Sequence, residues 1–233
     1  MPPLVGWASP VDDPRNPWFS WQYVRNNIDS LTTALQQHVE LTLSTVGIAA
    51  LLGIPLAIVA YRLPWLTSPI LGISGVLYTI PSLALFALLG PTLGLSFTSA
   101  LVALTVYALL AIVRNAVTGL RQVPDEVLDA ARGMGFGRVG LLWRMELPLA
   151  LPGIITGLRI ATVSTVALIT VGYQIGYGGF GTIILNGFND NFYRPAIMAG
   201  TIGCLALAFA FDLLLVGLGR LVMPWARRRA AAA

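Results

Sequence analysis

Side chains able to do chemistry are scarce in this sequence. There is one histidine, His38, one cysteine, Cys204, and all fourteen basic residues are arginine. The phosphate-binding loop of nucleotide hydrolases ends in Gly-Lys-Ser/Thr, so a chain without lysine cannot carry it. If ATP drives what this protein does, hydrolysis takes place on a partner. A lone histidine with no Cys/His cluster beside it reads as an interfacial residue rather than a metal ligand, and a cysteine in an apolar run reads as packing. Nucleophile, base and metal chemistry are therefore poorly served. What stands out instead is charge in apolar surroundings: Arg159 and Asp212 lie inside long hydrophobic stretches, where ions call for partners.

Those stretches are the elements that must position everything else. Hydrophobic residues make up 56% of the chain and charged residues 10%, far from the roughly 25% charge of a soluble domain. The net charge of +4 comes with no basic stripe interleaved with aromatics, and the arginines sit at the ends of apolar segments, which argues against nucleic acid. About 20 helical residues cross a hydrocarbon core of about 30 Å, and five segments qualify, near 39–61, 67–90, 96–116, 149–172 and 196–221. The expectation is an all-α integral membrane protein with five transmembrane helices. Residues 1–37, rich in proline and then in Trp18, Phe19, Trp21 and Tyr23, read as a tail and an interfacial segment; 38–222 read as the membrane domain, with a water-facing loop at 121–148, and 223–233 as a basic tail. At about 1.5 Å per residue, Arg159 lies about 16 Å along the fourth span and Asp212 about 15 Å from the inner end of the fifth. Similar depth suggests an ion pair joining the two spans; the alternative is separate burial of each charge.

The loop from Val123 to Pro148 holds four of the ten acidic residues and three of the arginines. Pro124 suits a first helical turn, and Asp125 and Glu126 follow where the helix dipole favours negative charge. Val127, Ala130, Ala131 and Met134 fall at i, i+3, i+4, i+7 and predict one apolar face. Gly133, Gly135 and Gly137 end that helix. A bend exposing Met134 and Phe136 is expected next, then a short helix with Val139, Leu142 and Trp143 on one side.

This stretch resembles the cytoplasmic Glu-Ala-Ala loop of permease subunits in ATP-binding-cassette importers. The family pattern is Glu-Ala-Ala, three residues, Gly, nine residues, Ile, any residue, Leu-Pro. Here it stands as Asp129-Ala130-Ala131, Gly135, Met145, Glu146, Leu147-Pro148, with the spacing kept and Asp and Met as conservative departures. From residue 38 onward, His38-Val-Glu-Leu-Thr42, Thr79-Ile-Pro-Ser-Leu-Ala84, Arg114-Asn115, Gly157-Leu-Arg159 and Gly178-Gly-Phe-Gly181 are similar to permeases of glycine betaine, carnitine and choline importers. A methionine or other amino-acid permease of the same fold is the nearest alternative, because a shared fold does not fix substrate. The resemblance implies the type I importer fold, a second permease, identical or paralogous, two ATPase subunits that hold ATP and Mg, and an extracellular solute-binding protein. No cofactor is expected in this chain. It also implies that Asp125, Glu126, Asp129, Ala130, Ala131, Met134, Gly135, Phe136, Leu147 and Pro148 couple the permease to its ATPase, with Met134 and Phe136 as the inserted knob.

With that loop inside a bacterial plasma membrane, nine arginines fall on the cytoplasmic side (Arg62, Arg114, Arg121, Arg132, Arg138, Arg144 and Arg227 to Arg229) against three outside (Arg15, Arg25 and Arg194). This follows the positive-inside rule and puts the N-terminus outside and the C-terminus in the cytoplasm. Pro81, in Tyr78-Thr79-Ile80-Pro81-Ser82, bends the second span, and freed backbone groups at membrane depth line a cavity or are repaired by packing. The glycine-dense segment 172–187 is either an extracellular gate or a tight connector. A quaternary ammonium donates no hydrogen bond and is recognised by aromatic faces, so Tyr78, Tyr107, Tyr173 and Tyr177, with Pro81, Ser82, Gly178 and Gly179, are the candidate pathway residues. A secondary transporter would need inverted repeats or more coupling ions than Arg159 and Asp212 offer.

Overall fold

The computed structural model describes residues 16–224 and is entirely helical there. The proline-rich start through Arg15 and the basic tail with Arg227 to Arg229 lie outside the described residues. Ten α-helices follow in order: α1 Trp21–Asn26, α2 Ile28–Arg62, α3 Pro64–Thr79, α4 Ser82–Leu93, α5 Phe97–Arg121, α6 Asp125–Gly133, α7 Arg138–Leu141, α8 Leu147–Ile169, α9 Phe180–Asn189 and α10 Arg194–Val222. A π-helical turn, Leu142–Glu146, joins α7 to α8, and a 3₁₀ segment, Thr170–Ile175, continues α8 toward α9.

Four helical runs are long and apolar enough to cross a membrane, namely α2, α5, the continuous run from α7 through α8, and α10. The fifth is the α3–α4 pair, bent by 91° at Ile80–Pro81. The second expected span is thus broken rather than kinked. Proline removes a backbone donor and drives the residue before it to extended angles, and Ile80 is extended at φ −63°, ψ 127°. The first span also differs from expectation. Helix α2 runs 35 residues from Ile28, about 52 Å at 1.5 Å per residue, so 28–37 extends the span instead of lying apart from it.

Helix α5 is the centre of the bundle. It packs most extensively against α8 and α2, burying Ala100, Ala103, Leu104, Ile112, Val113, Ala116 and Leu120. Small residues let backbones approach where lipid gives no hydrophobic drive between helices. A Cβ built on Gly153 of α8 would stand 2.7 Å from the Gly119 Cα and 2.9 Å from the Asn115 carbonyl of α5, so glycine at this crossing is required by space. Helix α10 packs on α8 and α9. Its side chains Ile202, Leu205, Phe209 and Leu213 are exposed, as a lipid-facing stripe would be.

Candidate coupling loop and translocation face

At one end of the bundle the loop between α5 and α8 forms a small domain of its own. Pro124 caps α6 rather than sitting in its first turn, and Asp125 and Glu126 occupy that turn. The helix is rotated from the face its spacing predicts. Leu128 and Ala131 turn inward with Val123 and Leu141, while Ala130 and Met134 turn out. The end of α6 explains the motif spacing. Gly135 sits at φ +86°, its N–H donates to the Arg132 carbonyl at 2.9 Å, and the Phe136 N–H donates to the Ala131 carbonyl at 3.1 Å. This is a Schellman cap, with glycine at the left-handed position and a hydrophobic contact closing over the last turn. Phe136 supplies that contact: it is half-buried against the Ala131 cluster, with the Arg144 guanidinium 5.9 Å from its ring centre. Phe136 and Met134 therefore do not form one knob. Met134 is 69% exposed and is joined by Val139 at 72% and Trp143 at 66%. Asp129 pairs with Arg132 at 2.6 Å, both exposed, a contact worth about 0.5 kcal/mol or less.

The π turn places a group that sequence reading passed over as the unspecified position of the motif. Glu146 is fully buried. Arg62, from the end of α2, donates to its Oε2 at 2.5 Å and to the Arg138 carbonyl at 3.3 Å, and the Tyr61 hydroxyl donates to Oε1 at 3.4 Å. Arg121 of α5 donates to the Thr67 hydroxyl, which in turn donates to the Ala60 carbonyl. Leu147 and Pro148 open α8, Leu147 packing into the α2–α5–α8 core. Glu146 thus ties the loop to α2, and beside it a second polar chain ties α5 and α3 to α2. A Tyr-Arg pair 84 residues before a buried glutamate leaves no local signature, which is why the pairing was invisible in the sequence.

At the opposite end the glycine-dense segment is packed, not open. Gly178, Gly179, Phe180 and Gly181 are buried. Gly179 sits at φ +50° with its Cα so close that a Cβ would meet His38 Nδ1 at 2.8 Å. His38, expected at an interface, is fully buried. Its Nε2 donates to the Val166 carbonyl at 3.0 Å and its Nδ1 accepts the Phe180 N–H at 3.3 Å, so the neutral imidazole satisfies both partners. Cys204 approaches the same carbonyl. Nearby, Tyr23 of α1 stacks edge-on with Tyr193 at 5.6 Å, and burial, followed by Tyr193 and Asp190, pushes its hydroxyl above the usual tyrosine range. Asn16 and Trp18 hold the start of α10 through Arg194.

The pathway candidates separate into three places. Tyr78 and Tyr107 meet edge-on at 5.8 Å beside the α3–α4 break, where Pro81 is exposed and Ser82 half-buried. Tyr107 is buried and donates its hydroxyl to the Ile80 carbonyl, which the break leaves without a helical partner; it repairs the backbone, while Tyr78 is exposed. Tyr177 packs on Phe97 at 5.3 Å, and Tyr173 stands half-buried in the 3₁₀ segment. Arg159 and Asp212 do meet: Nε to Oδ1 is 2.8 Å and Nη2 to Oδ2 is 2.9 Å, a bidentate pair across α8 and α10.

A membrane bundle of this kind with such a loop defines a class of protein. Residues 49–228 match the family described as binding-protein-dependent transport system inner membrane component, and the chain belongs to that family. Over 207 residues it is 36% identical to the osmoprotectant import permease protein OsmW of Salmonella typhimurium, covering 87% of this chain and 96% of that protein. It is 34% identical to the carnitine transport permease protein OpuCB of Listeria monocytogenes, covering 89% and 95%, and 33% identical to the choline transport system permease protein OpuBB of Bacillus subtilis, with the same coverages. In fold it is similar to the MetNI methionine transporter in inward-facing conformations, with a TM-score of 0.75 at 20% identity over 84% of this chain and 98% of that one. The importer-permease resemblance read from the loop is borne out.

Proposed function

We propose that this chain is the pore-forming permease subunit of an ATP-driven importer that carries quaternary-amine osmoprotectants such as glycine betaine, choline and carnitine. The carrying observation is the coupling loop: a capped helix anchored through Glu146 and Arg62, presenting Met134, Val139 and Trp143 to solvent at the end of a membrane bundle. Exposed apolar side chains on a polar scaffold mark a protein-binding surface, and an ATPase groove is the occupant that the family implies. Exposed Ala130 beside Met134 gives a partner backbone close access. The chain sits in the bacterial plasma membrane with α6 in the cytoplasm and α1 and α9 outside. It works as one of two permeases, with two ATPases below and a solute-binding protein above. Closing of the ATPases on ATP draws the two loops together and favours the outward-facing state, into which the receptor releases cargo. Hydrolysis resets the inward-facing state, so each state is selected by a different bound partner.

The test is uptake of labelled glycine betaine, choline, carnitine and methionine by proteoliposomes holding the chain with its operon's ATPase and receptor. ATP-dependent uptake of a quaternary amine is the expected result. Uptake of methionine alone keeps the importer and removes the osmoprotectant; uptake on an ion gradient without the ATPase removes both.

A further inference from the structure

The Arg159–Asp212 pair does more than join two helices. Its side chains are 39% and 27% exposed, at the middle of α8 and ten residues from the end of α10. Charges at that depth face a bundle interior or a water-filled cavity rather than lipid. The surface they stand on is a groove. On α8, Thr156, Arg159 and Val163 recur at i, i+3, i+7; on α10, Asp212, Val216 and Gly219 recur at i, i+4, i+7. An open cavity of about 330 Å³ lies toward the loop end, from Arg159 to Met223, and a second of about 360 Å³ lies toward the other end, from Arg159 to Ser164. Together they follow α8 from Pro152 to Ser164, about 18 Å at 1.5 Å per residue. On α10 the exposed Leu205 and Phe209 continue the same side of the helix, at i−7 and i−3 from Asp212, so the apolar stripe borders the groove.

We infer that this groove is a transit site for a zwitterion, with Arg159 facing the cargo's carboxylate and Asp212 facing its quaternary ammonium. The inference rests on the proposed osmoprotectant cargo. A guanidinium has five N–H donors, of which Asp212 takes two, leaving donors for a second carboxylate. A quaternary ammonium carries no N–H, so it does not compete for the hydrogen bonds that Asp212 already accepts. Charge alone attracts it. A zwitterion laid antiparallel over the pair therefore finds both complements without breaking the pair. No aromatic ring lines either cavity, so cation–π attraction is not the means of recognition here. The attraction is weak by construction, which suits a site that cargo must leave.

The experiment is equilibrium binding of labelled glycine betaine and, separately, labelled choline to the purified permease–ATPase complex with the receptor left out. Choline has the ammonium but no carboxylate. Arg159→Gln is expected to weaken glycine betaine about 10-fold, the loss of one charge-assisted hydrogen-bonded contact, while choline binding holds. Asp212→Asn weakens both ligands, and Arg159→Lys, which keeps the charge, restores most of the glycine betaine binding. Equal weakening of both ligands by Arg159→Gln, as a purely structural clip produces, overturns the site. So does an absence of saturable binding in a wild-type complex that transports glycine betaine with its receptor. If the wild-type complex with receptor moves no quaternary amine under ATP, the proposed cargo fails and the site falls with it.

Discussion

The two ends of the bundle are built by opposite means. At the loop end, the order of α6 comes from neighbours in sequence: acids in the first turn, a Schellman cap at Gly135, Phe136 folded over Ala131. At the other end, the glycine-dense segment takes its shape from residues far along the chain, His38 of α2 and Val166 of α8, which grip its backbone. The first kind of order leaves side chains free to face a partner. The second uses glycine to bring backbones together and leaves little exposed. The first construction suits the docking surface proposed for the loop, and the second leaves the glycine-dense segment tightly packed.

Substitutions that add one methyl group separate the two ends most sharply. At Gly181 a Cβ would lie 2.1 Å from the Thr170 carbonyl oxygen, so Gly181→Ala should cost about 3 kcal/mol or more through forced backbone shifts, read as a large fall in the unfolding midpoint in detergent. Removing the grip itself is milder. His38→Leu leaves the Val166 carbonyl and the Phe180 N–H without their partner and should cost about 2–3 kcal/mol; hydrogen exchange should rise first at Phe180 and its neighbours, and unchanged protection there would contradict the clamp. At the loop end, Glu146→Gln strips the charge that Arg62 faces. The cost should be about 1–2 kcal/mol, below the usual figure for a buried pair because Arg62 is 35% exposed, with ATP hydrolysis losing its stimulation by the loaded receptor. Gly135→Ala has open space for its methyl group but a backbone angle of φ +86°, so about 1 kcal/mol is expected, confined to α6. The smallest effect on stability belongs to Met134→Ser with Trp143→Ser, within about 0.5 kcal/mol for exposed positions. That variant should nevertheless lose the ATPase in a co-purification assay, and retention of the ATPase would remove these side chains from the docking surface.

The contrast also decides what could be read in advance. Periodicity and length locate the membrane segments, and a fixed spacing of small residues locates the loop, because both are local. The rotation of α6 was misjudged for a local reason as well. Val127, Ala130, Ala131 and Met134 match a helical face, but so do Leu128 and Ala131, and the cluster made by Val123 and Leu141 selects the latter. Arg159 and Asp212 were legible as partners because two ions at matched depth in adjacent spans have few other choices. Glu146 with Arg62, and His38 with Phe180, were not, since each pairing spans more than eighty residues and either end alone looks ordinary. The break at Pro81 was visible, but its sharpness depends on Tyr107 supplying the Ile80 carbonyl with a donor, a contact across 27 residues.

The glycine-to-glycine crossing of α5 and α8 bears on how such a molecule moves. With Gly153 set against Gly119 and no side chain between them, these helices have no soft layer on which to slide, and packed interiors switch between discrete arrangements rather than deform continuously. They travel as a single strut. A push on the loop, passed to α8 through the π turn, should therefore reach α5 with little loss, and the joint best placed to give is the 91° elbow between α3 and α4. The lever is stiff, and the elbow is its hinge.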